Sequence, residues 1–165
     1  MRWLHKWPSP HYGTEMSDAL HFMMGQFKAV IPTDRKYSAR HMWLQPIEDG
    51  LYRVGFSAYS VRLLQDVYFL EWTVDASTDV RDRQEIGEIE SSKAVSSMFT
   101  PCAGTVVEFN AALLNDPAGI NADNYDSGWL YTFRTTAELL TAEAYIKTLE
   151  DGWDNTQRTI KGQMN

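Results

Sequence analysis

The chain has 165 residues, of which 44% are hydrophobic and 22% charged; this suffices for one globular domain with its own core and excludes a disordered chain. A net charge of −7 without any Lys/Arg cluster argues against nucleic acid as a partner, and no apolar run reaches the roughly 18 residues of a bilayer span. The single cysteine, Cys102, excludes an internal disulfide, and His5, His11, His21 and His41 lack metal-ligand spacing.

In chain order, Met1 to Pro8 mixes Arg2, His5 and Lys6 with Trp3, Leu4 and Trp7. It has no continuous apolar stretch of the secretory kind, so a cytoplasmic protein is expected. Residues 1–36 read as an N-terminal extension that packs on the main domain. Within it, Leu20, Met23, Met24 and Phe27 fall at helical spacing, which predicts a helix over Ser17–Lys28 with Ser17 as its cap and Pro32 beyond its end. Its Met-rich face either packs on the domain or docks a partner.

Residues 37–153 read as the main domain, β-rich up to residue 133. Trp43–Pro46 and Leu51–Phe56 flank the turn Glu48-Asp49-Gly50. Val67–Val74, Ile86–Ile89, Val95–Phe99, Gly104–Phe109 and Trp129–Phe133 are further strand candidates, with short helices at Ser60–Gln65 and Ala111–Leu114. Residues 137–150 predict a helix carrying a Glu143–Lys147 pair and stopped by Asp151-Gly152, with residues 154–165 left as a polar tail. Strands this short and closely spaced predict a sandwich or barrel.

The chemistry sits between Ile86–Ile89 and Val95–Phe99. Glu90-Ser91-Ser92-Lys93-Ala94 resembles the E-S-x-K-A hairpin on which H proteins and lipoyl domains carry their cofactor, and Gly104 follows eleven residues after Lys93. Tyr37-Ser38-Ala39-Arg40-His41-Met42-Trp43 resembles Y-[ST]-x-x-H-E-W, and Val54-Gly55-Phe56-Ser57 resembles V-G-I-T. Gln65–Glu71 resembles G-D-I-V-Y-V-E, and Val106–Leu113 resembles V-V-E-V-N-E-A-L. Over residues 37–150 the chain thus resembles the glycine cleavage H-protein family.

The resemblance implies a mainly β fold: a lipoyl-domain-like hammerhead or sandwich barrel of two antiparallel sheets, here with an N-terminal extension containing a helix and with a C-terminal helix. It implies a non-catalytic carrier with lipoic acid attached covalently to Lys93. Glu90 and Gly104 are then read by the lipoylating enzymes, either a lipoate ligase or a lipoyl/octanoyl transferase. A hairpin tip on a rigid sheet suits a swinging arm.

The same resemblance exposes departures. The family shelters a cationic aminomethyl cargo with polar and acidic residues, but the Glu of H-E-W is Met42 here. Ser57-Ala58-Tyr59 stands at T-D-H, so Tyr59 takes the His position. Ser97 stands where an acidic residue often follows the lipoyl Lys. Met42, Tyr59 and Ser97 are therefore the candidates for the arm cleft, and they favour a neutral or soft cargo. Cys102 reads either as a buried small hydrophobe or as a redox thiol near the hairpin.

These departures resemble the lipoate-binding protein branch of sulfur-oxidising prokaryotes. That implies sulfur-containing intermediates, a heterodisulfide-reductase-like complex and dihydrolipoamide dehydrogenase as partners. The alternatives are the glycine-cleavage carrier working with the P and T proteins, an unmodified H-like interaction module, and an enzyme with Cys102 as nucleophile and His41 as base.

Overall fold

A computed structural model describes the backbone of residues 18–164 and side chains as far as residue 158. Met1 to Pro8 and the Ser17 cap lie outside these residues. The strands in chain order are β1 (Leu20–Met24), β2 (Phe27–Ile31), β3 (Lys36–Tyr37), β4 (Met42–Glu48), β5 (Leu51–Phe56) and β6 (Val67–Trp72). They continue as β7 (Thr78–Val80), β8 (Glu85–Ser91), β9 (Val95–Phe99), β10 (Gly104–Phe109) and β11 (Tyr131–Arg134). The helices are α1 (Ala58–Leu64), α2 (Ala111–Asn115), α3 (Gly119–Ala122) and α4 (Ala142–Met164).

The two sheets expected of the main domain are present and antiparallel. One has six strands in the order β3-β4-β5-β11-β10-β7; the other has three, in the order β6-β8-β9. The core lies between them. Ile86, Ile89, Val67 and Leu70 from the small sheet meet Leu44, Val54, Val106 and Phe133 from the large one. Burial of such aliphatic side chains contributes about 1.5–3 kcal/mol each before the entropy of ordering is set against it.

The N-terminal segment departs from expectation. No helix forms over residues 18–28; β1 and β2 make an antiparallel hairpin in which Met24 pairs with Phe27. Gly25 takes the turn at φ +64°, a conformation that costs glycine little. The buried residues alternate, Phe22 and Met24 on one strand and Ala29 and Ile31 on the other, which is the strand period. The same apolar residues satisfy a helical template, and the partners that select the strand come from elsewhere in the chain. Phe22 lies 6.0 Å from the Tyr59 ring and edge-on to Trp153 at 5.5 Å.

The C-terminal helix also departs. It begins at Ala142, where the Thr141 hydroxyl accepts from the Ala144 amide at 3.1 Å, and it runs through Asp151-Gly152 to Met164 without stopping. The expected polar tail is therefore helical over 154–164. Gly152 is exposed and a side chain there would meet open space, so it costs propensity only. Trp153, one residue later, packs edge-on to Phe22 and Tyr59 and so holds the helix past that point. These contacts form a second core with Tyr37, Trp43, Tyr145 and Leu149. The N-terminal hairpin is thus built into the protein, packed against α1 and α4.

Candidate functional site

The β8–β9 hairpin projects the E-S-x-K-A segment from the small sheet, with Glu90 opposite Val95 and residues 92–94 as the turn. Ser91 frames the turn. Its hydroxyl accepts from the amides of Lys93 (3.2 Å) and Ala94 (3.4 Å), while its own amide donates to the Ala94 carbonyl at 3.0 Å. Ser92 ties the tip to the start of β6: its amide donates to the Asp66 carbonyl at 2.8 Å, and its hydroxyl accepts from the Asp66 amide at 3.2 Å. The turn backbone is therefore fixed while the Lys93 side chain stands exposed in solvent. An accessible amine on a tethered turn is the arrangement that an enzyme acylating a lysine requires.

Glu90 is half-buried and lies between Phe69 of β6 and Val95 of β9. Tyr68, Phe69 and Val95 are 62%, 40% and 60% exposed, so the lysine rises from an unusually apolar surround. Gly104 lies on β10 in the other sheet, paired with Val80. A Cβ there would stand 2.4 Å from the Arg134 carbonyl oxygen and 2.7 Å from the Phe133 ring, so close packing alone demands glycine at this position. Gly104→Ala is expected to cost about 2 kcal/mol through overpacking, read as a lower urea midpoint, while the folded fraction is still lipoylated. Lipoylation that falls with an unchanged midpoint would instead make Gly104 a recognition residue.

Beside the hairpin, between β9, α1 and β4–β5, lies a cleft of about 240 Å³. Its floor is apolar, made by Met42, Phe56, Leu63, Leu64, Ile89 and Met98. Ser96, Ser97 and Phe99 of β9, Ser60 of α1 and Arg40 complete the lining, and among the described residues no acidic side chain belongs to it. Ser96 is three residues from Lys93, at most about 10 Å of chain, within reach of an octanoyl-length arm on a lysine. An apolar slot with a polar rim suits such an arm, so these residues fit a lipoyl group.

Of the three cleft candidates, Met42 and Ser97 line this cleft. Tyr59 does not. On α1, Ser60, Leu63 and Leu64 share the face that lines the cleft, and Tyr59, about 100° around the helix, turns into the second core. There it is 3% exposed, and its hydroxyl donates to Thr156 Oγ1 at 2.9 Å. Arg40 is the charged lining residue that the sequence missed. It precedes His41, whose φ of +70° swings the chain at the mouth of β4, and no local pattern marks that turn.

Cys102 lies beyond the end of β9 opposite to Lys93 and is no neighbour of the turn. It packs on the main core, its Sγ donates to Thr135 Oγ1 at 3.5 Å, and burial pushes its thiol pKa up. A raised pKa disfavours the thiolate that redox exchange needs. His41 lies against Tyr59 and Tyr145 of the other core, so the structure does not pair it with Cys102 as base and nucleophile. Among the described residues, no group of three or more His, Cys, Asp or Glu side chains is placed to hold a metal ion, and no helix is long and apolar enough to cross a membrane.

Comparison with known proteins converges on the same segment. The sequence profile of the family described as "Glycine cleavage H-protein" matches residues 35–152. The chain is 38% identical over 117 residues to the glycine cleavage system H protein of Beutenbergia cavernae, covering 70% of this chain and 93% of that protein. It is 38% identical over 126 residues to that of Alteromonas mediterranea, covering 73% and 97%. A crystal structure of the H protein from Mycobacterium marinum superposes with a TM-score of 0.64 at 39% identity, covering 74% of this chain and 99% of that one. With the hairpin, the two-sheet core and these matches in agreement, the chain belongs to the glycine cleavage H-protein family.

Proposed function

We propose that this protein is a lipoyl carrier loaded on Lys93, which presents cargo to partner enzymes and rests its arm in the cleft beside β9. Members of the family are non-catalytic carriers with lipoate on a lysine. The observation that carries the assignment to Lys93 is the hairpin itself: an exposed lysine on a turn fixed by Ser91, Ser92 and Asp66, flanked by Glu90. When bound, the lipoyl group supplies a dithiolane that cycles between disulfide and dithiol and holds cargo through sulfur. The chain's own part is positional. Ser91 and Ser92 hold the base of the arm, Tyr68, Phe69 and Val95 offer apolar contact to docking enzymes, and the cleft shelters the far end from water. A lipoate ligase or lipoyl/octanoyl transferase would load the lysine.

The relatives support a glycine-cleavage assignment, in which the cargo is a cationic aminomethyl group passed between P and T proteins and dihydrolipoamide dehydrogenase reoxidises the arm. A second reading is favoured by one observation: among the described residues, no acidic side chain lines the cleft. It places the carrier in oxidative sulfur metabolism beside a heterodisulfide-reductase-like complex. Reconstitution with purified P and T proteins separates them. Glycine turnover at the rate given by a bacterial H protein supports the first reading and sinks the second; failure of the lipoylated chain to support turnover does the reverse.

A further inference from the structure

The cleft differs from a plain apolar slot by one charge. Arg40 lines it, half-buried, with its guanidinium carbon 5.9 Å from the centroid of the Phe99 ring. Among the described residues the ion pairs are Arg35 with Asp34 and Lys147 with Asp151, so Arg40 has no carboxylate partner there. The nearby polar groups do not neutralise it. Ser60 donates its hydroxyl to the His41 carbonyl at 3.1 Å, and Ser96 and Ser97 are neutral. A cation at the rim of a slot floored by Met42, Leu64 and Met98 is desolvated on one side, which strengthens its attraction for an anion and its repulsion of a cation. Guanidinium is also the side chain whose fork of donors best fits a planar or tetrahedral oxyanion.

We infer that Arg40 makes this cleft a seat for an arm bearing a negatively charged cargo, and that it disfavours a positively charged one. The inference rests on Lys93 carrying the arm, and it deepens the second reading above. It concerns the charge of the cargo and not its name: an acid group near the arm's sulfurs would meet the Arg40 fork, with Ser96 and Ser97 as further donors, while the hydrocarbon chain lies on the methionines. A cationic cargo would face the Arg40 guanidinium with no acidic lining residue among those described to offset it.

The test uses the lipoylated full chain. Its arm is reduced and alkylated in separate samples with iodoacetate, iodoacetamide or 2-bromoethylamine, giving anionic, neutral and cationic arms of similar size. Seating is read by NMR from the methyl signals of Met42 and Met98 and the Nε–Hε signal of Arg40. The anionic arm is expected to shift all three signals and to seat about tenfold more than the cationic arm, a ratio typical of a single charge-assisted hydrogen bond. Arg40→Gln is expected to abolish that ratio, and Arg40→Lys to retain part of it. Equal seating of the three arms, preferential seating of the cationic arm, no seating of any arm, or an unchanged ratio in Arg40→Gln overturns the inference. Intact mass measured before alkylation separates the levels. A chain without a lipoyl group on Lys93 overturns the carrier reading as well, whereas a lipoylated chain whose arm ignores charge overturns only this inference.

Discussion

After co-expression with a lipoate ligase and supplied lipoate, the wild-type chain gains the mass of one lipoyl group, and Lys93→Arg gains none. The expected effect is all or none, because a guanidinium is always protonated and cannot be acylated as an amine can. Arginine keeps the charge and the aliphatic stem. Since Lys93 is exposed at the tip of a turn held by Ser91, Ser92 and Asp66, the unfolding free energy should stay within about 0.5 kcal/mol of wild type, as for surface substitutions away from special features. Peptide mapping places the group: the chain's other lysines, including Lys28, Lys36 and Lys147, should be unmodified in both proteins. Ser91→Ala is the graded companion. It removes the hydroxyl that accepts from the amides of Lys93 and Ala94, loosens the turn by about 1 kcal/mol, and should slow loading without preventing it. A lipoyl group retained on Lys93→Arg would show that another lysine carries the arm and would remove the basis for both the function and the charge of its cleft.

The parts of this protein that are legible in the sequence are those specified locally. The Lys93 hairpin is one: a Glu-Ser-Ser-Lys-Ala run between two β-rich segments is enough to place the turn, and the structure puts the turn at residues 92–94. The strand runs β5, β9 and β10 fall at the residues expected from their composition. What is not legible depends on partners distant in sequence. Leu20, Met23, Met24 and Phe27 satisfy a helical template, yet Phe22, Met24, Ala29 and Ile31 are the residues buried, because Tyr59 and Trp153 supply an aromatic floor for a flat hairpin. Gly152 looks like a stop because its propensity is poor, and the packing of Trp153 overrides it. Alignment alone puts Tyr59 in the cleft; the phase of α1 turns it away and brings Ser60, Leu63 and Leu64 in. Arg40 enters because the chain reverses at His41 in a left-handed conformation, which a polar residue in a loop does not announce.

That reversal carries the second large expected effect, a loss of stability as pH falls from about 6.5 to 4 that disappears when His41 is replaced. His41 Nδ1 lies 3.1 Å from the Tyr145 hydroxyl, which is itself 2.7 Å from Ser57 Oγ, and its ring lies 4.6 Å from that of Tyr59. Burial raises the Tyr145 pKa, so that phenol stays neutral, and its hydroxyl bridges Ser57 Oγ and His41 Nδ1 in the buried cluster. Burial lowers the His41 pKa from 6.5 to about 4. In the unfolded chain the same group protonates near pH 6.5. Between these values the unfolded state binds the proton and the folded state does not, so stability rises with pH across this window and is lost as pH falls through it. The dependence fades within about one pH unit above 6.5, where the unfolded histidine also loses its proton. The shift corresponds to about 3 kcal/mol over the whole window and about 2 kcal/mol by pH 5. His41→Asn is the fitting comparison, because asparagine tolerates the positive φ that His41 adopts and does not titrate. Urea unfolding of both proteins at several pH values from 4.5 to 7.5 reads the effect. The acidic groups titrate alike in the two, so the difference between the curves isolates His41: wild type should lose its advantage over His41→Asn steadily below pH 6.5, and curves that stay parallel throughout would show that His41 takes up its proton without cost in the folded protein.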